Sequence, residues 1–200
     1  MSYILAIPSN KRMKTDSLEY LKRVGISVIE SGRCLISRCA EQADIVPVFM
    51  DYKDIAHFVG QDRIHLGITT TAALAEKESP AVIVKPLGFS QCRLAFAAAA
   101  GGPNLDEWHG QYVVAQYPNL ARRFLDQCGK HHVQVIPISG SAELYPSLGI
   151  ADGIVDLVQS GESLKANNLC EIHTIMPVQA VFVRAPQFRV PPKLEMAFGS

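Results

Sequence analysis

Short apolar blocks alternate along this chain with amphipathic stretches, and the alternation sets the element plan. Blocks rich in Val, Ile, Leu and Ala recur at residues 3–7, 45–49, 65–68, 81–86, 93–98, 112–115, 133–137 and 154–158, each short enough for a strand. Helix-period segments lie between many of them. The first strand is followed by a turn over residues 8–11 and then by an amphipathic helix over residues 16–24. Such alternation predicts an α/β protein. The run GGPNLDEWHG interrupts it with turn formers and is expected to be a loop. The sequence shows neither an internal repeat nor a low-complexity tract.

The most informative segment is ELYPSLGIADGIVDLVQSGESL, residues 143–164. Ile154, Val155, Leu157 and Val158 form a run expected of a strand covered on both faces. Ser160-Gly161-Glu162-Ser163 then breaks the run, and SLKANNL has helical composition. A turn of this kind aims backbone amides and two hydroxyls at one point, where a helix dipole favours an anion such as a sugar 5-phosphate. The plainer alternative is that Ser160 or Ser163 only caps a helix.

The wider pattern favours the first reading. The order Glu143, Gly149, Ala151, Ile154, Asp156, Leu157, Ser160, Gly161, Ser163, Leu164 resembles the signature of ATP phosphoribosyltransferases, with Ser163 in place of a usual threonine. LAIPSNKRM, KDIAHFV, LGIT, GFSQCRL, YPNLARRFL, ISGSAEL and SLKANNL resemble further family segments, in family order from Leu5 to about Val183. The resemblance implies a two-lobed, periplasmic-binding-protein-like (type II) fold with the active site in the cleft between lobes. Lobe I, on the acceptor or ATP side, is expected to comprise residues 1–90 plus 171–200, and lobe II, on the phosphoribosyl pyrophosphate side, residues 91–170. The crossings are expected near residues 88–93 and 169–175. The chain resembles the family's short form, which works with a subunit resembling histidyl-tRNA synthetase; a homodimer is also expected. The closing segment PQFRVPPKLEMAFGS, with three prolines, leaves little room for a long final helix.

Composition adds bounds. With 200 residues and 48% apolar content the chain can bury a sizeable core. Nineteen basic and nineteen acidic residues balance, so no overall field attracts nucleic acid or an anionic membrane. No apolar stretch approaches the roughly 20 residues of a bilayer span, and the N-terminus does not read as a secretion signal, so a cytoplasmic protein is expected. The five cysteines are widely spaced without a CxxC pair, which predicts free thiols instead of a disulfide framework or a zinc site.

The family's reaction is a pentosyl transfer: the phosphoribosyl group of phosphoribosyl pyrophosphate moves to N1 of ATP, and pyrophosphate leaves. This is the first step of histidine biosynthesis. The resemblance implies that Ser160, Gly161, Glu162 and Ser163 hold the 5-phosphate, that Asp152, with Gly153, and Glu143 lie near the ribose, and that Lys11 and Arg12 supply cationic charge. Asp156 is expected either to contact substrate or to be satisfied by backbone amides within its strand. Magnesium, Mg²⁺, is expected to arrive with the pyrophosphate, without a protein cage.

Several first-lobe positions depart from the family pattern. Asp51 stands where an arginine is common, His65 where an aspartate opens the Leu66-Gly67-Ile68 run, Thr70 for a glycine and Ala72 for an aspartate; Asn10-Lys11-Arg12 stands for a usual Lys-Gly-Arg step, so Arg12 matches and the lysine is displaced by one position. Three readings follow. Asp51 and His65 could form a swapped ion pair in a working ATP phosphoribosyltransferase; the acceptor side, with Asp51, His65, Leu66 and Thr70, could be rebuilt for another nucleophile; or the chain could be a catalytically impaired regulatory homologue. Arg122 and Arg123 are expected at the surface, His131 and His132 in a loop, Trp108 and His109 in a loop or packing role, and Tyr117 at a helix start.

Overall fold

A computed structural model describes residues 2–30, 34–40 and 42–191. The chain divides into two compact units: one runs up to Ser90 and resumes at Gln179, and the other is Gln91–Val178.

In the first unit, β1 (Tyr3–Pro8) leads into α1 (Lys11–Arg23). The short β2 (Val28–Ile29) and β3 (Arg38–Cys39) pair with each other, and β4 (Ile45–Met50), α2 (Tyr52–Gly60), β5 (Leu66–Thr70), α3 (Thr71–Glu76) and β6 (Val82–Pro86) follow. The helix predicted from residue 16 starts five residues earlier. Asn10 is its N-cap, with Oδ1 accepting from the Met13 amide at 3.0 Å, so the polar stretch after β1 is helix and not turn.

The second unit contains β7 (Cys92–Ala99), β8 (Tyr112–Ala115), α4 (Pro118–Gln127), β9 (Gln134–Pro137), α5 (Leu144–Ser147), β10 (Gly153–Val158), α6 (Glu162–Ala166) and β11 (Leu169–Val178). The chain then closes on the first unit with β12 (Ala180–Arg184).

The first sheet has the order β4-β1-β5-β12-β6 and the second β11-β7-β10-β8-β9. In each, three neighbouring parallel strands are extended by one antiparallel strand and, beyond it, an edge strand that runs with the first three: β12 pairs antiparallel with β5 and β6, and β7 with β10 and β11. The two units thus share one strand plan although the sequence shows no repeat. Within that plan β1 and β8 are central, with the following parallel strands added on opposite sides. The carboxyl ends of β1 and β5, and of β8 and β10, are therefore the switch points where open α/β sheets bind ligands.

Burial follows from composition. Leu5, Ile7, Leu66, Ile68 and Phe182 pack one face of the first sheet, and Ala6, Ile55, Val59, Val181 and Val183 the other. In the second sheet, Ala95, Ala97, Ile154 and Val158 pack with Leu164 and Leu169. Phe96 meets Trp108 edge-on at 5.0 Å and Phe124 at 6.0 Å. Trp108 is thus a core residue of the GGPNLDEWHG loop. The buried Lys130 ammonium pins the same loop by donating to the Asp106 and Trp108 carbonyls at 2.9 Å each.

The second boundary between units falls at Val178/Gln179, later than the expected residue 171. β11 pairs with β7 from Leu169 to Val178 and carries two register shifts, which erase the alternation that would mark it in sequence. The closing segment was expected to lack a long helix. Its residues 186–191 form a turn and irregular chain, and the rest lies outside the described residues. No helix among the described residues is long and apolar enough to cross a membrane.

Candidate functional site

β10 delivers its carboxyl end to a loop shaped by one glycine. Gly161 adopts φ 79° and ψ 6°, in the left-handed region, and the chain turns there into α6. The Ser160 hydroxyl accepts from the Glu162 amide at 3.4 Å, and the Gly161 carbonyl accepts the Lys165 amide at 3.1 Å. The amides of Glu162, Ser163 and Leu164 belong to the first turn, where no helical carbonyl is available to them. α6 is only five residues long, so its dipole is weak. The groups this turn could offer an oxyanion are therefore local amides and the Ser160 and Ser163 hydroxyls, more than a helix field.

A hollow of about 210 Å³ opens beside the loop, lined by Glu143, Asp156, Leu157, Gln159, Ser160, Gly161 and Ser163. It is large enough for a phosphate and part of a sugar. Two carboxylates face it. Asp156 Oδ1 accepts from the Leu157 amide at 2.7 Å, and its Oδ2 accepts from Gln116 Nε2 at 3.2 Å; the same Gln116 nitrogen lies 3.3 Å from the Gly140 carbonyl. These bonds orient the Asp156 carboxylate. Of the two roles expected for Asp156, the bond to a backbone amide within its own strand is the one the structure contains.

Asp152 and Gly153 do not join this cluster. They stand at the opposite end of β10, about 20 Å from Ser160 at the ordinary rise of a strand. Asp152 Oδ2 accepts from the Gln111 and Tyr112 amides at 2.7 and 2.9 Å and so fixes the start of β8. Gly153 is required by packing: a Cβ there would lie 2.9 Å from the Phe96 ring. The expected ribose contact through Asp152 is replaced by a structural one.

In the first unit, Lys11 and Arg12 open α1 just past the carboxyl end of β1, both exposed. That is the expected end of the sheet. Thr70 lies at the carboxyl end of β5, where its Oγ1 accepts from the Ala73 amide at 3.1 Å as the N-cap of α3. Its φ of −121° is ordinary extended backbone that a β-branched residue adopts readily, so no glycine is needed. Leu66 is fully buried in the core and has no surface to offer an acceptor.

Asp51 and His65 do not pair. Asp51 caps α2, its Oδ1 accepting from the Lys53 amide at 2.8 Å, beside the carboxyl ends of β1 and β4. His65 lies by the other end of β1, where Nδ1 accepts from the Ile4 amide at 3.1 Å and the ring packs edge-on against Tyr3 and Phe188. Four strand residues separate the two, on the order of 15 Å. Each substitution has its own local partner.

Arg93 was missed by sequence reasoning. It sits opposite Val158 in the β7–β10 ladder, donates from Nη1 to the Gln159 carbonyl at 3.1 Å, and donates from Nε to Glu171 Oε2 at 2.7 Å. Its position in GFSQCRL, amid strand residues, gave no sign that it reaches the loop after β10. The remaining expectations are met by position: Arg122 and Arg123 are exposed, Arg122 bonding Asn119 at 3.2 Å; His131 is exposed and bonded to Asp126; and Tyr117, fully buried, precedes α4. None of the five cysteines is in a disulfide.

Comparison with known proteins agrees with the geometry. The sequence profile of the ATP phosphoribosyltransferase family (HisG) matches residues 52–195, which include the loop after β10 and leave Lys11 and Arg12 outside. The ATP phosphoribosyltransferase of Gemmatimonas aurantiaca is 32% identical over 187 residues, covering 90% of this chain and 63% of that protein. The one from Ruminiclostridium cellulolyticum is 31% identical over 188 residues, covering 92% and 87%. The chain thus spans less than two thirds of the first of these relatives. Among solved structures, an ATP phosphoribosyl transferase (HisG:HisZ) complex from Thermotoga maritima superposes with a TM-score of 0.80 at 26% identity, covering 92% of this chain and 88% of that one. A substrate-binding protein of an amino acid ABC transporter superposes with a TM-score of 0.59 at 9% identity, covering 98% and 90%, a likeness of fold alone. The fold is the two-lobed α/β fold of the periplasmic-binding-protein type, and the chain belongs to the ATP phosphoribosyltransferase family.

Proposed function

We propose that this protein transfers the phosphoribosyl group of phosphoribosyl pyrophosphate to N1 of ATP, releasing pyrophosphate, as the first step of histidine biosynthesis in the cytoplasm. The observation that carries the reading is the Ser160–Ser163 turn with left-handed Gly161, set beside two carboxylates at the switch point of the second sheet, in a chain of this family.

On this reading the first-turn amides and the two serine hydroxyls bind the 5-phosphate. Asp156, oriented by Gln116 and the Leu157 amide, and Glu143 accept from ribose hydroxyls and stabilise positive charge as the bond from C1 to pyrophosphate lengthens. The adenine N1 is itself the nucleophile, so the protein's work is positioning and charge stabilisation. Lys11 and Arg12 are the proposed cations for polyphosphate groups. Magnesium is proposed as the companion of the pyrophosphate. Among the described residues no group of three His, Cys, Asp or Glu side chains converges to hold an ion.

The altered acceptor-side residues support ATP as the acceptor. Asp51 and Thr70 cap helices and His65 holds a backbone amide, so these departures are accounted for without a rebuilt pocket. A homodimer is proposed, together with a second, synthetase-like subunit, in keeping with the two-component complex from Thermotoga.

The test is pyrophosphate release with magnesium, phosphoribosyl pyrophosphate and ATP, with and without the synthetase-like subunit, beside calorimetric titration of each ligand. Release that requires ATP is expected. Tight binding of phosphoribosyl pyrophosphate with no release under either condition would overturn the proposed reaction.

A further inference from the structure

The geometry points to Arg93 as a positioning residue that, held by Glu171 and Thr174 of β11, fixes the entrance of the phosphate-binding loop through the Gln159 carbonyl. The inference rests on the phosphate role proposed for residues 160–163 and deepens it.

Three strands contribute. Arg93 comes from β7, Gln159 directly follows β10, and Glu171 and Thr174 lie on β11 at the sheet edge. The guanidinium bridges them: Nη1 donates to the Gln159 carbonyl at 3.1 Å, while Nε and Nη2 lie 2.7 and 2.6 Å from Glu171 Oε2. The Thr174 hydroxyl donates to the other oxygen, Oε1. One β11 register shift falls between Glu171 and His173, inside this pair, and the other between Thr174 and Met176, just after it, so the strand's irregularity sits where its side chains meet Arg93. Glu171 is held below the usual carboxylate range, first by the Arg93 hydrogen bond.

Gln159 occupies the position where this brace counts. It is the last residue before Ser160 and Gly161, and its carbonyl orientation sets the peptide plane from which the turn departs. A lysine at position 93 keeps the charge, but its compact ammonium cannot reproduce the planar fork that serves the carboxylate and the carbonyl together. A loss of phosphate affinity in Arg93→Lys would therefore report geometry, not net charge.

The experiment titrates wild type, Arg93→Lys and Glu171→Gln with ribose 5-phosphate, phosphoribosyl pyrophosphate and ATP by calorimetry, with thermal melts alongside. Arg93→Lys is expected to weaken both sugar phosphates about tenfold, as for loss of a charge-assisted hydrogen bond, with ATP affinity unchanged. Glu171→Gln is expected to shift the same two ligands in the same direction by a smaller factor, and it carries the test if Arg93→Lys does not fold. Amide exchange at Glu162 should quicken in both. Wild-type binding with affinities for the sugar phosphates unaltered in the variants would overturn the positioning role alone. Failure of wild type to bind either sugar phosphate would overturn the phosphate reading and this inference with it.

Discussion

At the residue scale, the side chains that look most chemical in this sequence divide by which end of a strand they occupy. Asp152 and Asp156 are four residues apart in one strand, yet Asp156 faces the hollow and Asp152 ties down the start of β8. Asp152→Ala is expected to lower stability by about 1–3 kcal/mol, because two backbone amides lose their acceptor. Sugar-phosphate affinity of the folded variant should be unchanged, a combination that denaturation and calorimetry can check. Asp51 and His65 should behave independently: in a double-mutant cycle of alanine variants the stability effects should add to within about 0.5 kcal/mol. A larger coupling would revive the swapped pair. Both substitutions read as charge reversals because a sequence shows charge and not partner. His65 and the family's usual aspartate share one property, an acceptor for a backbone amide, which the structure uses at Ile4. Glu171 gives the pH dependence. Its carboxyl is held below the ordinary carboxylate range, first by the Arg93 hydrogen bond, so its stabilising contribution is present above the unfolded value and lost as pH falls through the folded value. The difference in melting temperature between wild type and Glu171→Gln should shrink in acid.

At the element scale, β10, its loop and α6 were legible because each carries a local signal: a β-branched run, a Ser-Gly break and a helical composition. Gly161→Val tests the assignment. A Cβ at this position would meet only Val158 Cγ1, at 3.9 Å, so the fold has room for it. The cost is conformational, about 1–2 kcal/mol for a side chain held left-handed, and larger for a β-branched one. The loop should leave its conformation and lose sugar-phosphate affinity, while the far-ultraviolet spectrum stays native. Unchanged affinity by calorimetry would sink the phosphate-loop assignment. What escaped the sequence reading lacked periodicity. The first turns of α1 are too polar to mark a helix, and β11, with its two register shifts, offers no alternation to follow. β12, a fully apolar run from Ala180 to Val183, is plain once seen, but it lies beyond the point where the second unit was expected to close.

Over the whole molecule, the two units repeat one sheet plan with different occupants at equivalent ends. The turn after β10 is a serine-glycine loop, and the turn after β5, which holds the same place in the first sheet, is a threonine-capped helix start. Strand order, not residue identity, is what the units share, and this is why no repeat could be read from the sequence. The second unit is also continuous in sequence, whereas the first is assembled from both flanks. Its two ends are paired: Val178 stands opposite Cys92 in the β7–β11 ladder, and just outside it the Ala180 amide donates to the Phe89 carbonyl at 3.1 Å. An inserted body whose ends lie side by side behaves as a cassette. Residues 91–178 could be closed on themselves by a short linker and reopened at an exposed loop, or grafted into a host hairpin, without asking either β7 or β11 to change direction.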